Sequence, residues 1–245
     1  MKRIVIISIV GAAATAIIAG TCASAFADST STPTSTPAST ATPSAGRSLA
    51  AIQAAAKVRT TARIGKLDTA ITKITAAAHI TTADRTTILG VLNADVAGMN
   101  SVEATIAADT TVASAAADYK TIFTTYRVYA VALPQARIAA AADRMTGATI
   151  PRLTATETRL ASALTGRDAG KSTPALQADL ADMQAKIAAA TSALDGASAS
   201  ALAVTPSDYN ANHSVLTSAR GSVKSAHADL VAAVADAKAI RAAIR

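Results

Sequence analysis

Apolar side chains recur at alternating spacings of three and four from the middle of this chain to its end. That period fits helices packed along one face and little else. The cleanest stretch is Leu176, Leu180, Met183, Ile187, Ala190 and Leu194. A second seam runs through Leu216, Ala219, Val223, Ala226, Leu230, Ala233, Ala237, Ile240 and Ile244. Ile64, Leu67, Ile71, Ile74 and Ala78 form a third, and Leu89, Leu92, Val96, Met99 and Ile106 a fourth, with Glu103 at the missing seam position. No strand-like alternation competes with these patterns. The residues are 51% hydrophobic but only 2% aromatic, and alanine supplies most of the difference. Alanine has the best helix propensity and buries little area. Such a chain favours long, closely approaching helices over one thick core.

The first 27 residues follow a different rule. Lys2 and Arg3 precede an uncharged apolar run, Ile4 to Gly20, and Ala25-Phe26-Ala27 places small residues where a signal peptidase reads. Residues 1–27 are therefore expected to be a cleavable Sec-type signal peptide, with cleavage after Ala27. Two alternatives stay open. The run is nearly long enough to remain as a membrane anchor. Cys22 could carry a lipid, although Ala19-Gly20-Thr21 makes a poor lipobox. Cleavage would remove the only cysteine, excluding disulfides, zinc–thiolate sites and cysteine nucleophiles. It would also remove Lys2 and Arg3, leaving +5 of the formal charge of +7. Residues 28–46 are nearly all Ser, Thr, Pro and Ala, a composition that cannot offset ordering entropy. A disordered linker is expected there, either a bland spacer or an O-glycosylated stalk.

The expected fold is all-α, an elongated antiparallel helical bundle or coiled coil over residues 47–245. One division is into three-helix units at 47–133 and 134–245 that share a long central helix. A single splayed four- or five-helix bundle is the alternative. His79-Ile80 interrupts the first seam, and Thr81 with Asp84 resembles a capping box. Asp109 to Thr111 is a weaker break. A third helix is expected from about Ala115 to Leu164, kinked at Pro134, with Gly147 and Pro151 as further weak points that could divide it into two or three pieces. Thr173-Pro174 and Thr205-Pro206-Ser207-Asp208 place cap residues before proline, so they mark two more starts. The last helix should run from there to the C-terminus.

Catalytic patterns are scarce. Glutamate occurs only at Glu103 and Glu157, so a carboxylate-bridged di-iron bundle lacks its ligands. His79, His213 and His227 are isolated. There is no zincin motif, glycine-rich phosphate loop or nucleophile elbow. The chain is expected to be no enzyme and to need no cofactor, metal or small-molecule substrate. Nucleic acid is not an expected partner, because aromatics that stack on bases are few.

Two clusters stand above this background. Arg59, Arg63, Lys66 and Lys73 fall within about 80° on a helical wheel, beside the apolar seam. They could contact an anionic cell-wall polymer, a membrane surface or an acidic envelope protein. Equally, they could be a solvated flank whose long stems cover alanine. Tyr119, Phe123, Tyr126 and Tyr129 lie close together, with Arg127 among them. A recognition patch is one reading. A structural role is favoured, because rings need a section where helices stand further apart.

A leader, a Ser/Thr/Pro linker and Ala/Thr-rich helices together resemble uncharacterised secreted proteins of high-GC Gram-positive bacteria. The segment DYKTIFTTYRVYAVALPQARI, Asp118 to Ile138, resembles a recurrent segment in that group. The resemblance spans essentially the whole mature chain and implies no established activity. At the level of architecture the heptads are also similar to spectrin-like three-helix repeats. The expected role is a secreted or envelope-associated helical spacer or interaction protein. Binding of anionic polymer through the basic first helix is the alternative.

Overall fold

The computed structural model describes residues 47–245, and the expected signal peptide at 1–27 and linker at 28–46 lie outside them. The protein is an all-α helical bundle, with no strand among the described residues. Helix α1 spans Leu49–Ala76 and α2 spans Thr82–Ala108. Helix α3, Val112–Thr124, is followed by α4, Ala132–Arg144. A π-helical turn, Met145–Thr149, leads directly into α5, Ile150–Thr165. Then come α6, Pro174–Leu194, and two short helices, α7 at Ala197–Leu202 and α8 at Pro206–Ala211. Helix α9, Thr217–Ala243, closes the fold.

Local chemistry sets most of the starts. Ser48, Thr81, Thr111 and Thr173 each accept a backbone N–H in the first turn of the helix that follows. Thr205 and Asp208 form a reciprocal capping box with Pro206 at the first helical position.

Two hydrophobic clusters lie along the bundle. In the first, Ile52, Leu67, Ile88, Leu92, Met99, Ile106 and Ile122 close the contact between α1, α2 and α3, with Ala136 and Ala139 of α4 on the same cluster. In the second, α5, α6 and α9 pack through Leu153, Leu160, Leu176, Met183, Leu230 and Ile240. The α4–π–α5 helix enters both clusters. Its Ile138 also joins Ala201, Leu216 and Ala219 in a smaller one between them.

Two expected helices are broken, and one unexpected helix is present. The third helix is not continuous from Ala115 to Leu164, because α3 ends at Thr124 and α4 begins at Ala132. The break falls before Pro134 rather than at it. Pro134 occupies the first turn of α4, where a missing donor costs nothing. Arg127 makes the turn with a φ of 46°, in the left-handed region. The last helix is also interrupted, between Ala211 and Thr217. Between α6 and α8 the chain forms an additional short helix, α7, entered through Gly196 at φ 66°. The π-turn precedes Pro151, which cannot donate to the ladder, and Ile150 bonds back to Met145 instead.

Candidate functional site

The four residues of the basic stripe part company in the folded protein. Arg63 turns inward and is only 7% exposed. Its guanidinium lies 4.6 Å from the centroid of the Phe123 ring and 5.0 Å from that of Tyr129. One of its Nη atoms donates to the Arg59 carbonyl at 3.1 Å. Burial pulls its pKa down from the ordinary arginine value. Arg63 therefore belongs to the aromatic cluster, held by cation–π contacts. Arg59 is exposed. Lys66 and Lys73, two turns of α1 apart, are exposed and line a groove.

The aromatic cluster packs against the first core. Tyr119, Phe123 and Tyr126 are half-buried there. Tyr119 and Phe123 meet edge to face, with centroids 5.3 Å apart. Tyr126 lies over Gly98 of α2, where a Cβ would collide with the ring. Tyr129 is 49% exposed and covers Arg63. Beside this cluster, Arg127 donates to Asn210 at 2.7 Å and faces the Tyr209 ring, while Asn210 donates to the Thr124 carbonyl at 2.9 Å. Those contacts dock α8 onto the α3–α4 turn.

The groove lined by Lys66 and Lys73 has a volume of about 1170 Å³. Helices α1 and α9 both pack on α4, and the groove runs between them. Its floor and walls are apolar, with Ile74, Leu133, Ala136, Met145, Leu230 and Val234 among the lining. Its cations come from three helices: Lys66 and Lys73 from α1, Arg137 and Arg144 from α4, and Lys238 from α9. His79 and His227 also line it, and no carboxylate does.

Asp143 and Asp236, close in sequence to groove cations, have other partners. Asp143 is buried and accepts the Thr81 N–H at 2.8 Å. Burial and the adjacent Asp84 carboxylate push its pKa up, against the Thr81 hydrogen bond. Asp84 in turn accepts from the Ser198 hydroxyl. Asp236 is taken by Lys186, which also pairs with Asp182. None of the five groove cations is in an ion pair among the described residues.

The π-turn shapes one end of the groove. Met145 and Thr149 line it, and Gly147 lies against His79 in the α1–α2 turn. Sequence reasoning found Lys66 and Lys73 but missed Arg137, Arg144 and Lys238. The i, i+7 spacing of Arg137 and Arg144 on a single helix was the available signal. Neither that spacing nor any other names α1 and α9 as the helices on either side.

Among the described residues, no cluster of His, Cys or acidic side chains could hold a metal ion, and no helix is long and apolar enough to cross a membrane. Comparison with known protein families, with curated proteins and with solved structures returns no match.

Proposed function

We propose that this protein is an exported, non-enzymatic interaction protein that holds an anionic partner at the cell surface or in the secreted fraction. One observation carries the reading: five cations from three helices line a single groove from which carboxylates are absent. All five side chains reach water, and with no carboxylate among them their summed positive potential favours an anion arriving from solvent. Export rests on the n-region, apolar run and Ala25-Phe26-Ala27 of the N-terminus. The likeness to secreted Ala/Thr-rich proteins agrees with it. The basic first helix contributes through Lys66 and Lys73, joined by two further helices rather than acting alone.

Retention on purified cell walls and on anionic beads, measured across a salt series, tests the proposal. The parent protein should be retained at low salt and released as the Debye length shortens. Changing Lys66, Lys73, Arg137, Arg144 and Lys238 together to Gln should abolish retention, because Gln keeps a similar helix propensity. Arg59→Gln, outside the groove, should leave it unchanged. Equal retention of the five-residue variant would move the contact elsewhere. No retention of the parent would leave the helical spacer as the better account.

A further inference from the structure

We infer that the groove binds a long-chain anionic amphiphile, with an acyl or alkyl chain lying on the apolar floor and an acidic headgroup meeting the basic rim. The inference deepens the anion-binding reading above and rests on it. Charge alone fits any polyanion, so the floor is what narrows the choice. A hydrophilic polyanion leaves apolar surface either facing water or pressed against hydrated groups, and neither is favourable. Here the floor is built from α4 and the facing sides of α1 and α9. Val231 on the α9 wall is 55% exposed, among the few large apolar residues of the described chain left so open.

Size agrees with a chain. The groove, at about 1170 Å³, exceeds the ~300–1,000 Å³ typical of small-ligand sites. The lining of α4 and the π-turn runs from Leu133 to Thr149, a stretch of roughly 24 Å at the rise of an α-helix. An extended hydrocarbon chain fits along such a length. The cations sit along the rim and not in a closed end, so the headgroup stays near water while the chain leaves it. Each methylene taken out of water is worth roughly fourfold in affinity. Chain length should therefore register in binding far more strongly than headgroup size.

The experiment is a calorimetric titration of the full chain with alkyl carboxylates of eight, twelve and sixteen carbons, kept below their micelle concentrations. Alkyl trimethylammonium ions of matched length and a chainless glycerol-phosphate polymer serve as comparisons. A Lys66→Gln, Lys73→Gln, Arg144→Gln variant is titrated in parallel, so that binding to any segment outside the groove cancels in the difference. The expected result is one site whose affinity rises at least tenfold from the shortest to the longest carboxylate. The matched cations should bind at least tenfold more weakly, and the variant should lose at least tenfold for the longest carboxylate. Circular dichroism should show the variant as helical as the parent.

Glycerol-phosphate polymer binding that the variant loses, without any chain-length dependence, would overturn the amphiphile and leave the anion-binding reading standing. Equal affinity for the alkyl cations would also overturn it. No difference between parent and variant for any ligand would overturn both.

Discussion

Gly98 matters because of what lies over it. Tyr126 places the far edge of its ring where a Cβ at position 98 would be, while Gly90, two turns earlier on the same helix, faces open space. Gly90→Ala should therefore raise stability by about 0.5–1 kcal/mol, the usual helix gain. Gly98→Ala receives the same gain but must displace a half-buried ring, and overpacking typically costs ~1–3 kcal/mol. A net loss is expected. In a Tyr126→Ala background Gly98→Ala should become stabilising, and thermal melts of the four chains check the cycle. Asp95 makes a different prediction. One of its carboxylate oxygens is buried without a partner, and burial pushes its pKa up to about 6. The unfolded value is about 3.9, so between roughly pH 4 and 6 the folded chain holds the proton that the unfolded chain releases. Stability rises as pH falls through that window, and the full penalty is present above it. Asp95→Asn should raise the melting temperature at pH 7.5, by a margin that shrinks towards pH 4. A margin independent of pH would show that the carboxylate charge is not the cause. Arg63 was harder to foresee. A cation beside a seam reads as a solvated flank, and only the rings of Phe123 and Tyr129, from a stretch at least 60 residues on, reveal it as buried.

At the scale of the helix, the recurring device is a long polar side chain that closes the C-terminus of another element. Gln53 of α1 donates to the carbonyls of Ile106, Ala107 and Asp109 at the end of α2. Arg85 of α2 returns the favour at Ile74 and Thr75 of α1. Gln135 of α4 donates to Ala201, at 2.8 Å, and to Val204 at the end of α7. Lys171 reaches the Ile244 carbonyl after α9. The last carbonyls of a helix have no partner within it, so these bonds matter in proportion to burial. Gln135 is 3% exposed. Gln135→Ala should cost about 1–3 kcal/mol, since it strands two carbonyls and opens a gap. The ammonium of Lys171 is exposed, and Lys171→Ala should change stability by less than about 0.5 kcal/mol. Denaturant unfolding of both variants measures the contrast. Helix starts and seams were legible in the sequence because they are local. Thr81, Thr173 and Thr205 cap as expected, and all six residues of the Leu176–Leu194 seam are buried. The break at residues 125–131 was not legible. Nothing nearby forbids a helix there. The turn is held by Asn210, 83 residues from Arg127 in sequence.

Across the whole molecule, the groove is a product of helix placement. Lys66 and Lys73, Arg137 and Arg144, and Lys238 lie on three helices separated by tens of residues, and α4 brings them together by packing against both α1 and α9. The sequence contains each cation but not the adjacency, so two of the five cations of the candidate site could be guessed and three could not. The central claim is that an anionic partner occupies this groove and not the rest of the basic surface. Cys22 is the only cysteine, so with Cys22→Ser a single thiol can be introduced and labelled with a polarity-sensitive dye. Val231 lines the groove at 55% exposure, and Val58 of α1 lies outside it at 66%, so the two sites are matched in access and differ in place. Titrating the longest alkyl carboxylate against each labelled chain should shift the emission of the dye at position 231 and leave that at position 58 unchanged. Equal shifts at both positions, or a shift at position 58 alone, would contradict the account.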